Sequence, residues 1–490
     1  MQINETASVS VGLSVTPASQ TTFSVPLLLI DHADIPIDRR YRQLTQSSYS
    51  ATGGLTASTT ARNWCAALWG QNYNVTQAYI GRWVSAASSP YITFPSAVTT
   101  LASWTAISDG YLKITDNAGT PNTDEIGPLN FSSVTSMADV CTVIQTALQA
   151  ITTPNITGLD TATCALDILS RPTITNSTSC VAAATISITT ATTGTDIGGA
   201  LYLGTDVVQA GLDTETLSAA MSAIFALDDT PYLVCQRGAS IAQAVAFSTA
   251  VNSLKKYCFI VDDDADAKDS TASTDIGYQV NALSHQKTRL LYTEHTTNNG
   301  ASADQFPDAA EIGEINARLD KEGGISQALN PLTGVSQSGL DSDLTTNIPL
   351  TTTEKTALIA KGYDFYDLYA GQVFARKGLS AGGNETRVMI GKEFFGAKVA
   401  EDFHAYLIAN EVVTYSDTDI QALKSRVAYW ANEMADRGLL DPETFVWNFP
   451  AASTFAAATK ATHTLTLSDC FSATVFNSIN DITITMNFSV

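Results

Sequence analysis

The chain opens and closes on strict alternation of apolar and polar residues. From Ala7 to Val15 the apolar positions are Ala7, Val9, Val11, Leu13 and Val15, with Ser8, Ser10, Gly12 and Ser14 between them. The last residues repeat the pattern through Ile482, Ile484, Met486, Phe488 and Val490, with Thr483, Thr485, Asn487 and Ser489 between. A period of two puts every apolar side chain on one face, so each stretch predicts a strand with one buried side. Inside these ends the pattern changes. Phe23 to Asp31 is an apolar run of strand length, Thr60 to Gly70 reads as a helix around Trp64, Leu68 and Trp69, and Ala78 to Val84 reads as a strand. From residue 214 onward helices and strands alternate: helix 214–227, strand 232–236, helix 240–255, strand 257–261, helix 275–286 and strand 289–293. Regular alternation of this kind predicts a parallel sheet covered by helices. Farther on, Ile420, Leu423, Val427, Trp430 and Met434 recur at spacings of three and four, predicting a helix over 418–437 that Ser416 or Asp417 caps and Gly438 ends.

Between about Ser85 and Gly204 the texture becomes rich in Thr and Ser, with β-branched segments at 111–115 and 185–190 and one helical stretch at 136–150. Recurring Ile, Val and Leu favour a folded, mainly β insertion over a linker. The expected fold class is therefore α/β and α+β multidomain: a helix-covered sheet core, an inserted mainly-β domain, and extended strand arms at both ends. The expected divisions are an N-terminal arm at 1–20, the first part of the α/β core at 21–84, the insertion at 85–204, the second part of the core at 205–344, an α+β domain at 345–475, and a C-terminal arm at 476–490.

At 490 residues the chain is long for a single core, which fits several compact units. Only 15% of residues are charged against 44% hydrophobic, and the formal net charge is −22. That balance argues against nucleic acid or an anionic membrane surface as a partner. The N-terminal segment lacks a basic region followed by an apolar one, and no apolar run reaches membrane-spanning length, so synthesis and folding in a cytoplasm are expected. The seven cysteines are widely spread without zinc-ligand spacing and are expected to be reduced core residues.

Three patterns raise the question of catalysis. Gly378-Leu379-Ser380-Ala381-Gly382 matches the nucleophile elbow, which needs a helix immediately after the serine. Here Gly383-Asn384-Glu385 is expected to continue a polar loop into an extended 386–390, so a hairpin loop is the expectation. Asp262, Asp263, Asp264 and Asp266 follow a predicted strand of the parallel sheet, where a magnesium site could form. No phosphate-cradling glycine motif accompanies them, and a solvated acidic loop is expected. His285 and His295 flank a predicted strand at opposite ends, which makes a shared metal improbable. No catalytic, metal or cofactor residues are therefore assigned.

Terminal strands with unpaired edges invite aggregation unless something pairs with them. The two terminal strands either complete the chain's own sheets or add to the sheet of another copy, where backbone hydrogen bonds bind and alternate side chains fix register. On the second reading Val9, Val11, Leu13 and Val15, with Ile482, Ile484, Met486 and Phe488, are the inter-subunit contacts.

The order of these features resembles the contractile tail sheath proteins of long-tailed bacteriophages, in particular a shorter sheath-like family. The matching segments are 25–30, Ala78-Tyr79-Ile80-Gly81-Arg82-Trp83, the β insertion, Pro331-Leu332-Thr333-Gly334-Val335, a hairpin from Arg376 to Val388, a helix from Phe394, and the closing alternating strand. The resemblance extends over nearly the whole chain in order and texture. It implies arms that join a neighbour's C-terminal domain in a shared sheet, an inner domain at about 345–475 facing a tail tube, and an insertion decorating the outside. It further implies stacked hexameric rings that contract to drive the tube through the host envelope. The implied partners are other copies of the chain, the tail tube protein, and the baseplate and tail terminator proteins, with no cofactor, in a virion assembled in the bacterial cytoplasm. A non-contractile self-assembling tube or surface-lattice protein is the alternative.

Overall fold

The computed structural model of the chain describes residues 22–475 apart from internal segments, the longest being 178–184, 199–206, 294–305, 319–331, 333–349 and 456–469. The two predicted arms, 1–20 and 476–490, and the His295 position lie outside the described residues. The chain divides into two compact units: Met1–Leu28, Asn63–Tyr79 and Phe225–Val490 form one, and Leu29–Arg62 with Ile80–Ile224 form the other.

In the first unit the predicted parallel sheet is present. Its strands lie in the order Tyr363–Asp364, Thr288–Tyr292, Tyr257–Asp262, Pro231–Gln236 and Thr22–Ile30. The first three neighbouring pairs are parallel, with Leu290 opposite Tyr363, Cys258 opposite Thr288, and Leu233 opposite Tyr257. Every residue of the strands at 231–236, 257–262 and 288–292 is buried, as expected where helices cover both faces. The covering helices begin where the sequence supplies caps. Ser240 and Gln243 exchange a capping box at the start of Ile241–Asn252, and Asp275 accepts the Tyr278 N–H at the start of Ile276–Ala282.

Two long helices follow, Thr386–Ala409 and Asp417–Asp436. The second matches its expected bounds. Ser416 accepts the Asp419 N–H at 3.1 Å, and Gly438, at φ +70°, closes the far end with Leu439 N–H bonded to the Met434 carbonyl. Its buried seam runs through Ile420, Leu423, Val427, Ala431 and Met434, with Ala431 taking the place expected for Trp430. Trp430 is half-buried and meets Phe394 edge-on at 6.4 Å.

The first long helix is a correction. An extended segment was expected at 386–390, but the helix starts at Thr386. Residues 386–391 are all buried, so this turn has no polar face and no 3.6-residue stripe by which to recognise it. The packing is close enough that a Cβ on Gly391 would stand 2.4 Å from Leu439.

The second unit holds two four-stranded sheets. In one, Gly110–Asp116 pairs with Thr195–Asp196, Asn122–Leu129 and Ile186–Thr189; the other runs Val207–Gln209, Tyr91–Thr93, Pro172–Thr175, Thr163–Leu166. With the helix Met137–Gln149 they enclose one core around Trp104, Phe131, Ile114, Ile126, Ile144 and Ile174. The Thr-rich composition has a local role here, because Thr115 bonds across to Thr123 and Thr189 at 3.2 Å and Thr93 to Thr173 at 3.0 Å. Where the chain enters and leaves this region it is clasped by Glu215. The Glu215 N–H donates to the Val84 carbonyl at 3.0 Å, and its carboxylate accepts the Val84 N–H at 3.1 Å and Arg40 at 2.7 Å. Its carbonyl accepts the Trp83 indole N–H at 2.8 Å.

Candidate assembly site

The eight residues predicted as inter-subunit contacts, Val9, Val11, Leu13, Val15, Ile482, Ile484, Met486 and Phe488, all lie outside the described residues. The candidate surface for such strands is a small sheet in the first unit. Leu440–Trp447 and Phe471–Val475 form a two-stranded antiparallel sheet, pairing Leu440 with Val475 and Trp447 with Phe471, with an irregular register between Asp441 and Val446. Pro442 and Glu443 occupy that irregularity, and the Thr444 hydroxyl substitutes for a ladder carbonyl by accepting the Thr474 N–H at 2.8 Å. An aromatic cluster anchors one face. Phe471 lies 4.7 Å from Trp447, 5.3 Å from Phe445 and 5.7 Å from Phe395 of the first long helix. Val446 remains 49% exposed. Two strands alone are marginally stable in water, so this sheet draws its stability from the helix pair beneath it.

The patterns that raised catalysis resolve differently. Ser380 is buried; its hydroxyl accepts the Asn384 N–H at 3.2 Å, and the following helix starts only at Thr386. The serine therefore does not stand proud on a strand-to-helix turn. His285 places its Nδ1 2.7 Å from the Ser248 hydroxyl, where burial lowers its pKa. The Asp cluster is not one solvated loop. Asp264 caps the short helical turn Ala265–Lys268 by accepting the Asp266 N–H, and Asp266 is exposed, but Asp262 is buried and accepts the Tyr363 hydroxyl. Burial pushes Asp262 up to about 6, partly offset by that hydrogen bond. Lys361 reaches the Asp275 carboxylate at 2.7 Å and the Asp266 carbonyl at 2.5 Å. Among the described residues no three His, Cys, Asp or Glu side chains gather to hold a metal ion.

The strongest polar constellation is one the sequence reading missed. Every residue of the helix Pro307–Glu314 is buried, including three carboxylates spaced by three. Each meets an arginine. Asp308 accepts Arg237 at 2.5 Å and the Trp64 indole at 3.0 Å. Glu311 takes Arg289 at 2.5 and 2.6 Å and the Tyr366 hydroxyl at 2.6 Å. Glu314 accepts Arg318 at 2.6 Å and the Asn72 N–H at 2.9 Å, and Arg318 stacks 3.6 Å over the Tyr73 ring. Burial opposes the Arg289 charge, but Glu311 and Asp364 outweigh it and raise its pKa. Asp364 in turn accepts the backbone N–H groups of Phe365, Arg376, Lys377 and Gly378. The chemistry is that of a rigid structural tie: every acid has its counter-charge, and no side chain of the helix is left poised for a substrate. Asp-x-x-Glu-x-x-Glu within an apolar context was the available signal.

The family described as E217 tail sheath protein gp31, insert domain, matches residues 88–214. No curated protein matches the chain by sequence. A chain of the anti-feeding prophage baseplate, determined by cryo-EM with six-fold symmetrisation, is similar at a TM-score of 0.42 and 12% identity, covering 58% of this chain and 76% of that one. Residues 88–214 thus carry a domain of the phage tail sheath type, which supports a structural role for the chain in a bacteriophage tail. No described helix is long and apolar enough to cross a membrane.

Proposed function

We propose that the chain is the structural subunit of a contractile phage tail sheath, polymerising as stacked hexameric rings around the tail tube and contracting to drive the tube through the host envelope. The observation that carries this reading is the match of residues 88–214 to a sheath insert domain. On this reading the alternating segments 7–15 and 482–490 of neighbouring copies add to the two-stranded sheet at 440–447 and 471–475. On this reading the insertion decorates the outside and the domain containing the helix pair faces the tube. The partners are other copies, the tube protein, and the baseplate and terminator proteins, in the virion. The work of contraction comes from tighter association of subunits in the shortened lattice, so neither cofactor nor catalytic residue is required.

Electron microscopy of the purified chain tests the reading. Stacked six-fold rings or tubes are expected, with two lattices of different rise once tube protein is supplied. A single lattice under every condition would favour a non-contractile tube instead. Deletion of residues 1–15 or 482–490 is expected to leave a folded monomer that does not polymerise; arm-deleted protein that still builds normal tubes would overturn strand exchange.

A further inference from the structure

Two cysteines of the insertion are placed as a pair. Cys141 lies on the helix Met137–Gln149 and Cys164 on the strand Thr163–Leu166, both within the core of that unit and each no more than 5% exposed. Gln145, one turn beyond Cys141 on the same helical face, accepts the Cys164 backbone N–H at 3.0 Å and so fixes the strand against that face. Both side chains enter the same core, where the helix and the strand pack directly on each other. The neighbouring Cys164 lowers the pKa of the Cys141 thiol, while Cys141 and burial raise that of Cys164. Cys258, by contrast, gives its hydrogen to Thr288.

We propose that Cys141 and Cys164 are a reversible dithiol–disulfide couple that staples the helix to the strand inside the insertion when the chain meets a small disulfide oxidant. The Cys141 thiolate attacks one sulfur of the oxidant and releases the other as a thiolate; the Cys164 thiolate then displaces the remaining half. Two protein thiols become one disulfide, and the oxidant is reduced to two thiols that take up both protons. The bond spans residues 141–164 and links two elements already in contact, so it acts chiefly by restricting the unfolded chain. On the proposed role, a particle leaving a reducing cytoplasm at lysis meets oxidising surroundings, although the couple itself does not depend on that role.

The test uses the full chain prepared in two ways: reduced and then treated with oxidised glutathione, and expressed in cells with an oxidising cytoplasm so that the bond can form during folding. Both are alkylated and digested without reduction. The expected result is a Cys141–Cys164 cross-link in at least the second preparation, a mass lower by two hydrogens, reversal by dithiothreitol, and loss of the cross-link in C141A with the other cysteines still reduced. All thiols free in both preparations, or a cross-link from either residue to Cys180, would overturn the proposal.

Discussion

Replacing Arg289 by Met removes the cation from a fully buried ion pair while keeping most of its volume. Arg289 and Glu311 are both 0% exposed, joined by two hydrogen bonds of 2.5 and 2.6 Å. The two carboxylates around the arginine do not suffer equally. Asp364 retains the N–H groups of Phe365, Arg376, Lys377 and Gly378, whereas Glu311 retains only the Tyr366 hydroxyl. The cost therefore comes mainly from Glu311, a buried charge without its partner, at ~3–5 kcal/mol. Glu311→Gln alone leaves Arg289 with Asp364 at 3.2 Å and the Leu379 carbonyl at 3.1 Å, so its cost is smaller, ~2 kcal/mol. The double variant removes both charges and is expected to lose only ~3 kcal/mol in all, a coupling of ~2–4 kcal/mol. Urea unfolding of the full chain followed by tryptophan fluorescence reads this, because Trp64 is hydrogen-bonded to Asp308 on the same helix. Additive single effects, or an Arg289→Met variant within ~1 kcal/mol of the parent, would refute the account of the helix as an ionic tie.

Further outcomes follow from neighbouring features. Asp262 has a folded pKa of about 6 against an ordinary 3.8. A carboxyl raised on folding favours the folded state most below its unfolded pKa and loses that contribution as pH climbs from about 4 to 6. Asp262→Asn should therefore stabilise the chain at pH 7 by up to ~3 kcal/mol and have little effect at pH 4, measured by denaturation at both pH values; equal effects at the two would sink the assignment. Gly313→Ala would put a Cβ 2.1 Å from the Leu68 carbonyl oxygen. The helix-propensity gain of ~1 kcal/mol is outweighed by the clash, and a net loss of ~2 kcal/mol in thermal melting is expected; an unchanged or raised melting temperature would contradict it.

Elements whose face or cap is written in one short window were legible. The helix Asp417–Asp436 announces itself by its stripe, Ser416 and Gly438, and the parallel strands by fully apolar runs between helical stretches. Legibility failed where burial removes the periodic signal: Thr386–Gly391 is enclosed on all sides and resembles a strand in composition. It failed also where meaning depends on distant partners. Nothing local to Asp308, Glu311 and Glu314 shows that Arg237, Arg289 and Arg318 converge on them, and nothing in 257–266 shows that Tyr363 turns Asp262 inward while Asp266 stays in water. The pairing of Cys141 with Cys164 is hidden in the same way, by helix-on-strand packing with no sequence spacing to mark it.

The clasp at Glu215 bears on how such a protein can change. Val84 and Glu215 are 131 positions apart in sequence yet touch through two hydrogen bonds. To the strands on which it is mounted, the whole intervening region is a loop whose ends are already closed. Its length and contents can vary at little entropic expense to the rest, since closure cost grows only slowly with loop length. The insertion can therefore be exchanged or lost while the scaffold is conserved, and an engineered cargo joined between these two residues would inherit the same mount.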